Sequence, residues 1–214
     1  MTSAHSVHTI LRMQSYDVII VGGGASGLSC AITLASAHDK PWFNDRRIMV
    51  IDDDQSDLNR AMLYNVPGVR PGTTGVELLE TMRSQLGEYT PASLLKGSVV
   101  EWNRLADHEF EVTLKDHMTL TGHTLVFATG YKRWDIHGEG LQPVEHPRGG
   151  KSNRVMIEHD GVYHAGTDLY VAGLLAGGSS QFAIAAGIGA QVAVEILSTW
   201  AGKRTHVHHV LNKH

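Results

Sequence analysis

The feature that most constrains this chain is a glycine string set between an apolar run and a helical one. Residues 16–21 (YDVIIV) lead straight into Gly22-Gly23-Gly24, and the pattern Gly22-x-Gly24-x-x-Gly27 opens residues 25–37. In that second stretch Leu28, Ala31, Ile32 and Leu34 share one broad face, the spacing of an amphipathic helix. Residues 38–47 are polar and hold Pro41, and residues 48–51 form a second apolar run ending in Asp52-Asp53-Asp54. Strand, glycine turn, helix and strand in that order predict the opening βαβ unit of a doubly wound sheet.

Each glycine has a separate physical reason. Gly22 permits the tight turn, Gly24 lets a pyrophosphate approach the backbone, and Gly27 lets helix and strand pack closely. The free N–H groups and dipole of a helix N-terminus favour phosphate at the same place. A carboxylate at Asp52 suits the hydroxyls of an unphosphorylated adenosine ribose, which favours FAD or NAD over NADP.

Further along, Asn65-Val66-Pro67-Gly68 reads as a turn, and residues 74–86 as a helix with Val76, Leu78, Leu79, Met82 and Leu86 inward. Between Gly97 and Phe127 the period changes to two. Residues 98–102, 109–114 and 119–127 read as three strands, the first two joined by the polar stretch 103–108, with Ala128-Thr129-Gly130 closing the last. Residues 131–160 are polar and turn-rich. A short buried strand over 169–175 and a small-residue helix over 181–200 follow.

Composition narrows the function classes. With 214 residues the chain can bury roughly 70% of its extended surface, enough for a sizeable core. A net charge of −4 gives no basic footprint for nucleic acid. One cysteine excludes an internal disulfide or two-thiol redox centre. The apolar stretches read as too short or too glycine-rich to span a membrane, and a cytoplasmic location is expected. Glycine reaches 23 of 214 residues, about 11% against a usual level near 7%, and it is clustered in the turns named above.

The stretches YDVIIVGGGASGLSCA, YNVPGV, LVFATGYKRWDIHGEG and LYVAGLLAGGSSQFAIAAGIGAQVA occur in an order that resembles the flavin-dependent pyridine nucleotide-disulfide oxidoreductases, and within them the thioredoxin-reductase-like branch. With the elements between them they cover most of residues 16–200. The resemblance implies an α/β fold of three layers, a parallel Rossmann-like sheet crossed by a three-stranded antiparallel meander, with FAD as cofactor. It places Gly22, Gly23, Gly24, Ala25, Ser26 and Gly27 at the pyrophosphate and Asp52 and Asp53 at the adenosine ribose. The backbone around Val99 meets the adenine; Ala128, Thr129, Gly130 and Gly173 line the cofactor; Asn65 sits near the flavin ring. Gln181 and Phe182 match the position where a helix N-terminus nears the pyrimidine side of the isoalloxazine. Such a terminus suits the negative charge of a reduced flavin.

Three departures from that family modify the expected activity. Only residues 131–168 separate Gly130 from Leu169, too few for a second dinucleotide fold for NAD(P)H. The redox dithiol is absent, and lone Cys30 falls in the first helix as a small core residue. The family's Gly-Asp pair in the last strand stands here as Gly173-Leu174.

The expectation is a minimal FAD-dependent oxidoreductase over residues 16–200, with an N-terminal arm (1–15) and a basic, histidine-bearing tail (201–214). Met13 is a possible natural start, and no secretory signal is read in the arm. Electrons would come from a partner protein or slowly from free NAD(P)H, and a homodimer is expected; no metal site is assigned. A non-catalytic dinucleotide-binding module and a plain NAD-binding oxidoreductase stay open as alternatives. His137 reads as a surface-loop residue or one near the flavin, Trp134 and Tyr131 as packing or shielding residues, and His206, His208, His209 and His214 as solvated tail residues or, in the alternative, metal ligands.

Overall fold

A computed structural model describes residues 15–132 and 134–208. The expectations for most of the N-terminal arm, and for His209 and His214, lie outside the described residues. The chain begins with β1 (Ser15–Val21), α1 (Ala25–Ala35) and β2 (Ile48–Asp52). A 3₁₀ turn (Asp57–Arg60) precedes a small antiparallel pair, β3 (Met62–Leu63) and β4 (Thr73–Thr74), then α2 (Gly75–Gly87) and β5 (Ala92–Lys96). The meander is β6 (Val99–Ala106), β7 (Glu109–Leu114) and β8 (Thr119–Phe127). After it come β9 (Pro143–Glu145), β10 (Val155–Ile157), β11 (His164–Gly166) and β12 (Leu169–Val171), a second 3₁₀ turn (Gly173–Ala176), and α3 (Phe182–Ala201).

The main sheet runs β11-β12-β8-β1-β2-β5, parallel from β12 through β5, with β11 antiparallel at its edge. Strand β8 joins two layers. Its first residues pair antiparallel with β7, while 121–127 pair parallel with β1. Where the layers part, Gly122 lies so close to β1 that a Cβ there would stand 2.9 Å from Ile19 Cγ1.

Strand alternation divides the core into two. Val18 and Ile20 face the helices, among Leu28, Leu34, Leu79, Val192 and Ile196. Ile19 and Val21 face the meander, among Trp102, Phe110, Val112, Leu125 and Phe127. Each such fully buried Leu or Ile contributes about 2 kcal/mol through area removed from water. This is the expected three-layer α/β arrangement.

Several boundaries differ from the sequence reading, for physical reasons. Strand β6 runs on to Ala106, because Asn103, Arg104 and Ala106 still pair with β7, across a register shift between Arg104 and Ala106. Val76 is exposed rather than inward. It lies in the first turn of α2, which Thr74 caps: the Thr74 hydroxyl accepts from Glu77 N–H while the Glu77 carboxylate accepts from Thr74 N–H. Strand β12 ends at Val171, since Gly173 turns the chain at φ +67° into the 3₁₀ turn. Edge strand β5, half exposed along its length, carried too little alternation to be read.

The expectation that the apolar stretches are too short or too glycine-rich to span a membrane is corrected by α3, which has 20 residues and an 18-residue stretch of mean hydropathy 1.6, long and apolar enough by length and composition alone. Ala185, Gly189, Val192, Ala193, Ile196 and Leu197 of this helix are buried, in part against α1. Gly189 is what permits the approach: a Cβ there would meet the Ser26 carbonyl oxygen at 2.0 Å.

Candidate cofactor site

The parallel strands all end at one edge, and the glycine string leaves β1 there. Gly22 takes φ +110° and abuts the strand beside it; a Cβ would stand 2.5 Å from Ala128 O. Gly27 has no room at all, its Cβ position lying 1.8 Å from Gly22 O. Gly24 instead faces an opening bounded by Ser56, whose Oγ is 3.3 Å from a Cβ at that position. The first bond closing the turn of α1 runs from Leu28 N–H to Gly24 C=O at 3.0 Å. The N–H groups of Gly24, Ala25, Ser26 and Gly27 therefore precede the helical ladder and are available to an anion.

Asp52 is buried at the end of β2, directly beneath this loop. Its Oδ1 accepts from the N–H groups of Gly23 (3.3 Å) and Asp54 (3.1 Å), and its Oδ2 from Arg83 Nη2 (2.8 Å). A carboxylate offers about four acceptor positions, so among the described residues one remains for a ribose hydroxyl. Gly23 must be glycine for this reason: a Cβ would lie 2.4 Å from Asp52 Cγ. Arg83 also holds Asp54 (3.1 Å). Burial works against its charge, but the bonds to Asp52 and Asp54 outweigh that and raise its pKa. Asp53 is exposed and its Oδ1 accepts Gln55 N–H.

The remaining candidate residues gather on the same edge. Gly97 N–H donates to Asp52 C=O at 2.9 Å, which brings residues 97–99 to the end of β2. Val99 itself is buried, so the backbone rather than its side chain is on offer. Thr129 lies beside Gly22, and Gly130 turns at φ +77°. Asn65 Nδ2 donates to Gln181 Oε1 at 2.7 Å, and Gln181 is the N-cap residue of α3. Phe182 is half-buried against the helical core. Gly173 packs against α1, its Cβ position 2.4 Å from Ser26 Oγ.

Elsewhere the outcomes vary. Cys30 is fully buried, and burial pushes its thiol pKa up. His137 is exposed and extends the meander, exchanging backbone bonds with Val100 and Trp102. Trp134 packs edge-on against Phe127. His206 and His208 face each other, ring centroids 5.8 Å apart.

Arg83 escaped the sequence reading, although it is the lone cation of α2. Ser56 and the ion pair between Lys132 and Asp57, which joins the loop after Gly130 to the first 3₁₀ turn, had no motif to reveal them.

Comparison with known proteins follows the same lines. The family model for pyridine nucleotide-disulphide oxidoreductases matches residues 16–206. The chain belongs to this family. Its members of the thioredoxin-reductase-like type are FAD-binding flavoproteins. Among curated relatives, ferredoxin–NADP reductase 1 of Listeria monocytogenes is 26% identical over 133 residues, covering 62% of this chain and 40% of that protein. Thioredoxin reductase of Aquifex aeolicus is 30% identical over 118 residues, covering 54% of this chain and 34% of that protein. The chain thus spans well under half the length of these relatives.

In fold it is similar to a thioredoxin reductase from Gloeobacter violaceus (TM-score 0.73, 15% identity, 92% of this chain and 99% of that one). A ferredoxin-flavin thioredoxin reductase from Clostridium acetobutylicum is similar as well (TM-score 0.64, 14% identity, 89% and 99%).

Proposed function

We propose that the chain binds FAD and works as a compact flavoprotein oxidoreductase that takes its electrons from a protein partner. One observation carries the reading: the uncommitted first-turn N–H groups of α1 stand beside a buried carboxylate with an acceptor position to spare. That pairing fits the pyrophosphate and adenosine ribose of FAD.

At the other half of the cofactor the fit is backbone-led. Leu174, where the family carries Asp, offers no side-chain acceptor to a ribityl chain. Gln181 and the N-terminus of α3 supply polar groups and a favourable dipole instead. When bound, FAD would supply the electron-accepting ring, and the protein would hold and tune it. Asn65 orients the Gln181 amide, and Asp52, fixed by Arg83 and two backbone N–H groups, would hold the ribose hydroxyls.

The segment 131–168 forms β9, β10, β11 and turns, with no second glycine-loop helix among its described residues, which supports a donor other than bound NAD(P)H. A cytoplasmic setting is consistent with such an exchange.

Heat-released ligand separated by chromatography tests the proposal. FAD is expected; FMN alone, or nothing after reconstitution, overturns it. A non-catalytic module would bind FAD yet fail to pass electrons to any artificial acceptor.

We also propose a homodimer. Tyr64 and Met62 are exposed, as are Ala183, Ile184 and Gly187 on the outer face of α3. Ile184→Glu should convert a dimer to monomer in sedimentation runs. A parent that sediments as a monomer overturns this.

A further inference from the structure

The segment between β8 and β12 reaches back to the cofactor edge with three side chains. His146, just past β9, has Nε2 2.9 Å from Leu174 C=O, while its Nδ1 accepts Arg148 N–H at 3.0 Å. An Nδ1 that accepts leaves the ring proton on Nε2, so the ring donates to the carbonyl. His159 repeats the arrangement: Gly161 N–H meets Nδ1 at 3.1 Å, and Nε2 lies 3.2 Å from Ala176 C=O. Arg148 Nη1 donates to Gly177 C=O at 2.7 Å. Three donors thus end on the carbonyls of 174, 176 and 177.

The donors are themselves held. Tyr131 packs edge-on against His146 at 5.2 Å, Arg154 lies 4.9 Å over the Tyr131 ring, and Val155 N–H donates to Tyr131 C=O at 2.8 Å. The held segment abuts the cofactor loop at its other side. Gly178 N–H closes onto Gly173 C=O at 3.2 Å, and Gly173 sits against Ser26 in the first turn of α1.

We propose that His146, His159 and Arg148 are positioning residues for the cofactor site, a clamp that seats residues 173–178 against the first turn of α1 and so fixes the approach of Gln181. This rests on the FAD reading above. The stretch too short for a second nucleotide fold then has its own task. Each ring is held at both nitrogens, accepting at Nδ1 and facing a carbonyl through Nε2.

The test titrates FAD into apoprotein and records the dissociation constant, the visible spectrum and the midpoint potential. The variants are Arg148→Met, His146→Leu, His159→Leu, His146→Gln and His159→Gln. Losing one donor should raise the dissociation constant about tenfold, the equivalent of one hydrogen bond, and shift the flavin bands and potential. Glutamine keeps an N–H at the position of Nε2 and should return both near the parent values. If a leucine variant fails to fold, Arg148→Met remains decisive, since that side chain is exposed.

Variants that melt earlier but keep the parent affinity, spectrum and potential would show mere loop stabilisation and overturn the clamp. A parent that takes up no FAD overturns the clamp together with the cofactor reading. A parent that binds FAD while all variants match it overturns the clamp alone.

Discussion

Asn65 Nδ2 donates to Gln181 Oε1 at 2.7 Å, joining two residues 116 positions apart. Asn65 lies in the turn after β3, Gln181 at the N-cap of α3, and both are exposed. A bond between exposed neutral groups is worth only about 1 kcal/mol, so its value lies in orientation rather than stability. Asn65→Ala should leave the melting temperature nearly unchanged. It should shift the flavin absorbance bands, and Gln181→Ala should shift them in the same direction. The double variant should shift them no further than either single one. Additive shifts would mean the two amides act separately.

The glycines of the loop should separate folding from binding. Gly27→Ala puts a Cβ 1.8 Å from Gly22 O, a backbone atom that cannot yield, so the variant should fail to fold or melt far below the parent. Gly24→Ala meets only Ser56 Oγ, at 3.3 Å, a side chain that can rotate away. It should fold, with a circular dichroism spectrum like the parent's, and release FAD because the methyl occupies the approach of the pyrophosphate. A Gly24→Ala protein that keeps its cofactor places the pyrophosphate elsewhere.

How much of this was legible in the sequence depends on where each signal resides. The βαβ opening was legible because β1 and β2 are continuous apolar runs and glycine punctuates them. The meander was legible from its period of two. Strand β5 was not: its burial is set by pairing with β2 rather than by its own side chains. Asp52 could be placed by position, yet its three partners could not, since Arg83 reaches it from a helix 31 residues away. The donors from His146, Arg148 and His159 lie in a segment without periodicity, where tertiary contacts alone decide the conformation.

Cys30 should prove dispensable for electron transfer. It is fully buried on the helical side of the sheet, and burial raises its pKa, so no thiolate is available there to attack a disulfide. Cys30→Ser should lower stability by about 1–3 kcal/mol, the cost of a hydroxyl in an apolar site. The rate of flavin reduction by dithionite and turnover with an artificial acceptor should stay at the parent values. Loss of turnover with FAD still bound would make Cys30 a redox thiol.

Direct reduction by nicotinamide cofactors should be slow. Among its described residues the segment 131–168 forms the short strands β9, β10 and β11 and sends donors to the carbonyls of 174, 176 and 177, with no glycine loop opening a helix for a second dinucleotide. A nicotinamide would have to be held by stacking alone, without the remote binding energy that normally brings a reactant into position. Reduction by NADH or NADPH should therefore rise linearly with concentration into the millimolar range and hardly distinguish the two. Arg83 offers no help to NADPH, being committed to Asp52 and Asp54. Dithionite or a reduced low-potential protein should bleach the flavin readily in the same anaerobic stopped-flow experiment. Fast, saturable reduction at micromolar NADPH would mean that a nucleotide site is built from the 131–168 segment or from a second subunit.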